Sequence, residues 1–309
     1  MKVFQAIFLI CAAPAVAQLP AMYENVDRMF WVVDEPAAAI AGWRTVGAID
    51  GPTLNDADSH WVTVPFSGIV IDFVKPVAKN PRVFSDFRKR HGLGIMALLH
   101  HAPTLDAIDA QVTLMKSRGV SVLNTGAIPN QAGSKYVLFD TEPQGKYVLG
   151  IAYVQASAAR KTPVRRISQY AFVARDLSSV SDYWAKLGFP KMSFTHPPLW
   201  DLKYHDQPGQ FDALLGWQRH GKVAYEWIQP LTGPTTYLDH MQKHGEGVHH
   251  IAFQVANIED ESAEWTRKGF PFQQSGAWGE RDKKGHGRFT YQDAHKIGGI
   301  DIELLWNYR

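Results

Sequence analysis

"GEGVHHIAFQV", residues 245–255, places two adjacent histidines at the start of an alternating apolar run. Side chains of a strand alternate between its faces, so His250, Ala252 and Gln254 share one face and Ile251, Phe253 and Val255 the other. The second face is wholly apolar and is expected to pack against helices. His249 falls with that face or frays at the strand start, which leaves His250 turned to the opposite side. A lone strand histidine becomes a metal ligand only if other donors reach it.

Reading outward, "HHIAFQVANIEDESAEWTRKGF" runs strand, acidic turn, helix, glycine. The same order recurs in "FWVVDEPAAAIAGWRTVG" from Phe30 and "FVARDLSSVSDYWAKLGF" from Phe172. There Pro36, Trp43 and Gly47 match Leu177, Trp184 and Gly188 in spacing. "GLGIMALLHHAPTLDAIDAQVTLMKSRGV" repeats it with a longer helix. Asp34-Glu35 and Asp176 stand where helix N-caps and first-turn acids belong, and Gly47 and Gly188 where helices stop. Strand-like runs follow: "GIVIDFVKP" and "YVLGIAYVQ" in the first half, "KVAYEWIQP" and "GIDIELLW" in the second. The chain therefore reads as four βαβββ units in two pairs, an α+β fold, with the polar stretch 155–166 as the linker.

A length of 309 residues suits two domains. With 45% hydrophobic and 20% charged residues the composition is that of a globular protein, and a net charge of +2 gives no basic field for nucleic acid. The opening "MKVFQAIFLICAAPAVA" has a lysine, an apolar run and Ala15-Val16-Ala17, the pattern of a cleaved secretory signal. The apolar run is short for a membrane span. Residues 1–17 are thus expected to be removed, leaving a periplasmic or secreted protein with no membrane attachment. Cys11 is the only cysteine and would leave with them; Ile10 stands before it where lipoproteins carry a small residue. The mature chain would then form no disulfide.

The βαβββ repeat, "GEGVHHIAFQV" and the closing "IDIELL" together resemble the vicinal oxygen chelate superfamily. That group includes glyoxalase I, methylmalonyl-CoA epimerase, extradiol dioxygenases and bleomycin-resistance proteins. The likeness is nearest to the glyoxalase and epimerase branches and is strongest from Ile167 onward. It implies that each pair of units curls into a half-open mixed β-barrel with helices outside, around one metal ion. Residues 18–154 would form an N-terminal module and residues 167–309 a C-terminal module carrying the metal site.

Strand period supplies the donors. In "GIDIELLW", Ile300, Ile302 and Leu304 face the helices, while Asp301 and Glu303 face the other way. One unit earlier, Gln169 stands where His250 does and Glu226 where Glu303 does. The two intervals are 57 and 53 residues. Gln169, Glu226, His250 and Glu303 form a plausible set for one divalent ion, which could be Zn, Ni, Co, Mn or Fe. The resemblance implies the same positions. In the first half Arg28 and Asp72 replace Gln169 and Glu226, and the other two positions fall near Gly94 or Ile95 and near Gly150 or Ile151. His100-His101 come too late in their strand, unless the count is taken from Gly119. That half is expected to hold no metal.

The resemblance implies a glyoxalase- or epimerase-type enzyme, a lyase or isomerase, that moves a proton beside a metal-bound carbonyl of a small substrate. Glu226 or Glu303 would be the base. Extradiol ring cleavage is the alternative; there two histidines and one glutamate hold the metal, whereas Gln169 and Glu226 depart from that set. A ligand-sequestering protein of the bleomycin-resistance type is a third reading. "SFTHPPLWDLKYHDQPGQF", residues 193–211, lengthens the third unit and could form a lid. Trp200, Tyr204 and Trp217 would suit an aromatic substrate, and Trp227 reads as core. Arg281, Lys283 and Lys284 lie in a charged loop that reads as solvated. Four units in one chain allow a self-contained site in a monomer or a homodimer.

Overall fold

The computed structural model describes residues 21–49, 51–129, 131–155, 165–221 and 223–308. The expected signal segment 1–17 and linker residues 156–164 lie outside the described residues. The first half runs β1 (Arg28–Val32), α1 (Pro36–Thr45), β2 (Leu54–Asn55), β3 (Trp61–Phe66), β4 (Ile69–Val74), α2 (Arg82–His91) and β5 (Gly94–His101). It continues with α3 (Leu105–Ser117), β6 (Val122–Gly126), β7 (Lys135–Phe139), α4 (Glu142–Gly145) and β8 (Val148–Tyr153). The second half runs β9 (Ile167–Val173), α5 (Leu177–Lys186), β10 (Ser193–Thr195), β11 (Leu199–Tyr204), β12 (Gln207–Pro208), β13 (Asp212–His220) and β14 (Val223–Thr232). It closes with α6 (Thr236–His244), β15 (Gly247–Gln254), α7 (Ile258–Arg267), β16 (Phe272–Trp278), β17 (Gly287–Asp293), α8 (His295–Gly298) and β18 (Asp301–Asn307).

Two curled mixed sheets result, of 8 and 10 strands, in the orders β2-β3-β4-β1-β5-β8-β7-β6 and β10-β13-β14-β9-β15-β18-β17-β16-β11-β12. In each sheet an antiparallel pair at the centre, β1 with β5 or β9 with β15, joins two units, and parallel pairs flank it. This is the α+β architecture of two tandem modules expected from the repeat.

The matched helices form where the spacing placed them. Asp176 accepts from the backbone N–H of Ser179 and caps α5. Glu35 holds the equivalent place on α1 with no side-chain cap bond, and Pro36 supplies the first turn instead. Gly47 and Gly188 end these helices at φ of 70° and 86°, a region L residues rarely adopt.

One apolar core runs through both modules. Trp31, Trp43, Trp184, Trp227 and Trp265 are all fully buried in it. Tyr147 of the first module stacks on Phe172 and Trp184 of the second, with ring centroids 4.9 and 4.7 Å apart. The indole N–H of Trp31 donates to the Gly298 carbonyl at 2.7 Å. At the ends of α2 and α6, His91 and His244 each hydrogen-bond through Nδ1 to the other's carbonyl, at 2.7 and 2.6 Å.

The long segment of the third unit is woven into the sheet. Strand β10 pairs with β13 at one end, and β11 pairs with β16 at the other. Its aromatic residues are held by these edges: Trp200 N–H donates to the Gly279 carbonyl and Tyr204 O–H to Asp239. Trp217 N–H donates to Thr195, and Trp227 stacks on Phe172 in the core. Arg281, Lys283 and Lys284 are exposed; Arg281 lies over the Trp200 ring, and Lys283 pairs with Glu280.

Candidate metal centre

Each predicted donor comes from a central strand of the second sheet. Gln169 lies on β9, Glu226 on β14, His250 on β15 and Glu303 on β18, neighbouring strands in the order β14-β9-β15-β18. The register sets Ala252 between Gln169 and Glu303, and Ala171 between Glu226 and His250. The small alanines let four long side chains lean together over them. All four donors are buried, His250 completely.

The side chains converge on one point. His250 Nε2 lies 3.1 Å from Glu303 Oε2 and 3.5 Å from Glu226 Oε2. Gln169 Nε2 donates to both carboxylates, at 2.5 Å to Glu226 and 3.2 Å to Glu303. An amide can present either its oxygen or its nitrogen to the same place, so Gln169 can also turn its oxygen inward. Burial pushes the Glu226 carboxyl above its ordinary range; the Glu303 charge adds to this, while His250 and Gln169 oppose it. Burial also pulls His250 down, but the two glutamates outweigh it and raise the imidazole to about 9. Two carboxylates sharing one buried point call for a cation between them. The set of one imidazole and three oxygens fits a divalent first-row ion.

His249 departs from expectation. A β-bulge between Val248 and His250 sets it out of the simple alternation. It does not share the helix-packed face with Ile251, Phe253 and Val255, which belong to the main core. Its Nδ1 lies 2.8 Å from His250 Nδ1, and its ring packs on Tyr237, His240 and Tyr291. With His250 offering Nε2 inward, its Nδ1–H donates to His249. The Nε2 of His249 then points toward Asp301, 3.4 Å away. Burial raises the Asp301 carboxyl to about 7, opposed by His295. His249 and Asp301 thus back the His250 ring, the usual way a ligating imidazole is oriented. Sequence reading had Asp301 on the right face without a role. Tyr291, paired with Glu303 across β17 and β18 and 4.9 Å from the His250 ring, was missed; its signal was register.

The first module shows what the same positions become without these donors. Arg28 and Asp72 hold the places of Gln169 and Glu226 and form a buried ion pair. Asp72 also accepts from Trp61 Nε1 and Thr63 Oγ1, and Arg28 donates to Gln131. The equivalent of His250 is Ala97, not Gly94 or Ile95. Both strands carry the same bulge, and Ala97 precedes the Thr104 cap by seven residues as His250 precedes Asn257. Gly150 stands where Glu303 does, and a Cβ there would meet Leu99 at 2.7 Å. His100 bonds the Asn25 carbonyl through Nδ1 at 2.8 Å, and His101 is exposed.

The profile of the glyoxalase/bleomycin resistance protein/dioxygenase superfamily matches residues 168–291. No curated protein matches the chain in sequence. Among solved structures, a mutant of 4-hydroxymandelate synthase from Streptomyces coelicolor is similar with a TM-score of 0.65 at 13% identity. The match covers 92% of this chain and 93% of that one. The Mn(II)-bound glyoxalase from Novosphingobium aromaticivorans is similar with a TM-score of 0.50 at 16% identity, over 93% of this chain and 83% of that one. A xylose isomerase-like TIM barrel/4-hydroxyphenylpyruvate dioxygenase fusion protein gives 0.55 at 14% identity, over 93% of this chain but 49% of the fusion. Such identities show a common fold. The family match falls on the second of two barrels built from paired βαβββ units, and the first barrel repeats its fold.

Proposed function

We propose that this protein is a divalent-metal enzyme that moves a proton at the carbon beside a carbonyl of a small substrate, as glyoxalases and epimerases do. The observation that carries the reading is the convergence of Gln169, Glu226, His250 and Glu303 on one buried point. These four residues would hold the ion. When bound, the ion would supply Lewis acidity to a carbonyl oxygen.

The chain's own contribution is a base at the right place. Either Glu226 or Glu303 can take the proton. Apolar side chains of Phe211, Ile228, Tyr237, Phe289 and Tyr291 cluster on this side of the sheet, keep water out and favour an apolar or aromatic substrate. The Tyr237 and Tyr291 hydroxyls bond one another at 2.9 Å.

Oxygenation of an aromatic substrate is the second reading, supported by the full-length likeness to 4-hydroxymandelate synthase. One experiment separates the two. The stripped protein is reloaded in turn with Mn, Co, Ni, Zn and Fe(II). Small aromatic α-hydroxy ketones in deuterated water are followed by NMR, and catechols by dioxygen uptake. Deuterium entering beside the carbonyl, and lost in His250→Ala, supports proton transfer. Dioxygen uptake by the iron form alone would sink it in favour of oxygenation. The site would work outside the cytoplasm, after cleavage behind Ala17; an intact N-terminus by mass spectrometry of the exported fraction would refute that.

A further inference from the structure

We infer that His240, His244 and His295 form a second divalent-metal site, of the three-imidazole kind that suits zinc, at the seam between the modules. None of the three belongs to the first donor set. His240 and His244 lie one turn apart on one face of α6, and His295 opens α8. Their ring centroids are 4.9, 5.3 and 6.1 Å apart, and one nitrogen from each lies within 4.8 Å of the others. Zinc holds imidazole nitrogens at about 2.0–2.1 Å, so small ring rotations would close the set.

The tautomers are already arranged for it. His244 Nδ1–H donates to the His91 carbonyl at 2.6 Å, which leaves Nε2 as a bare acceptor. His295 Nδ1–H donates to Asp293 at 3.0 Å, with Asp301 at 3.3 Å, and again Nε2 is left. A carbonyl or carboxylate behind each ring is the support that metal-bound histidines have. His244 Nε2 and His240 Nδ1 are buried and have no hydrogen-bond partner among the described residues, although both side chains are more than nine-tenths buried. Buried nitrogens without partners are rare in folded proteins, and a shared cation satisfies both. His240 and His244 line a cleft together with His91, Glu142, Lys146 and Glu246, with room for a water.

The donor types keep the two sites apart. Three imidazoles favour a borderline ion such as zinc, whereas two carboxylates and an amide favour a harder one. His249 stands between them, its ring 5.1 Å from both His240 and His250. Zinc on Nε2 of His244 would strengthen its Nδ1–H bond to His91 and tighten the seam.

The test counts metal on the full mature chain, stripped on a chelating resin, titrated with Zn(II) and separated by gel filtration before elemental analysis. We expect two equivalents in the wild type, one in His240→Ala/His244→Ala and one in His250→Ala/Glu303→Gln. His295→Ala, at a half-buried position, should weaken one equivalent by ~100-fold or more, beyond the ~10–100-fold of a supporting residue. It decides the matter if the double histidine variant fails to fold. No zinc in the wild type, or a single equivalent that survives in His240→Ala/His244→Ala, would overturn the inference. So would two equivalents persisting in His240→Ala/His244→Ala, or in His295→Ala if that variant must serve. The count does not depend on activity, so failure of the proposed reaction leaves it standing.

Discussion

His249 and His250 are chain neighbours with different work because a bulge separates them. His250 points its Nε2 at Glu226 and Glu303, and His249 holds the opposite nitrogen. His250→Ala should therefore empty the first site while the fold survives. His249→Ala should keep the metal but weaken it by ~10–100-fold, the usual cost of a supporting partner. Metal titration of the two variants checks both, and equal loss in each would mean His249 is itself a ligand. In the first module the positions of Gln169 and Glu226 carry Arg28 and Asp72, which make an ion pair instead of a site. Asp72→Ala would strand the buried Arg28 charge and should cost about 3–5 kcal/mol. Urea unfolding measures this, and metal content should stay unchanged.

At the scale of elements, the repeat was visible as helix spacing, but the two helices start differently. Asp176 caps α5 through the Ser179 N–H, whereas exposed Glu35 at the start of α1 makes no cap bond and pairs with half-buried Lys75. Asp176→Ala should cost about 0.5–2 kcal/mol. Glu35→Ala should cost under about 0.5 kcal/mol, since an exposed ion pair contributes little. Thermal melts of the two variants compare them directly. The long segment before β13 read as a lid because its prolines and aromatic residues suit a loop. It pairs with strands at both ends of the sheet, since an open barrel edge offers unpaired backbone groups that a neighbouring segment can satisfy.

The whole molecule has a pseudo-twofold plan in which β1, β4, β5 and β8 match β9, β14, β15 and β18 in pairing and in register, bulge included. The two modules share one core, so neither is expected to stand alone. Tyr147 is the bridge, stacked between Phe172 and Trp184. Tyr147→Ala should cost about 3–5 kcal/mol, as large aromatic truncations in cores do. Unfolding followed by circular dichroism and by tryptophan fluorescence should give one coincident transition. Two separate transitions would show that the modules unfold independently.

The order of elements and the pairing of units were legible in the sequence, and so was the shared face on which Gln169, Glu226, His250 and Glu303 meet; their holding a metal belongs to the proposal. They depend on local period: a strand turns every second residue to one face, and matched units repeat matched positions. What escaped was whatever depends on contacts between distant segments. A bulge moved His249, and no composition signal marks a bulge. The spacing of His240 and His244 on a helix could have drawn notice, but His295 comes from another element 51 residues beyond His244, brought in when α8 packs beside α6. Likewise, Arg28 and Asp72 read singly as absent ligands; only the folded sheet makes them partners. Period fixes which way a side chain faces, and tertiary packing decides what it meets there.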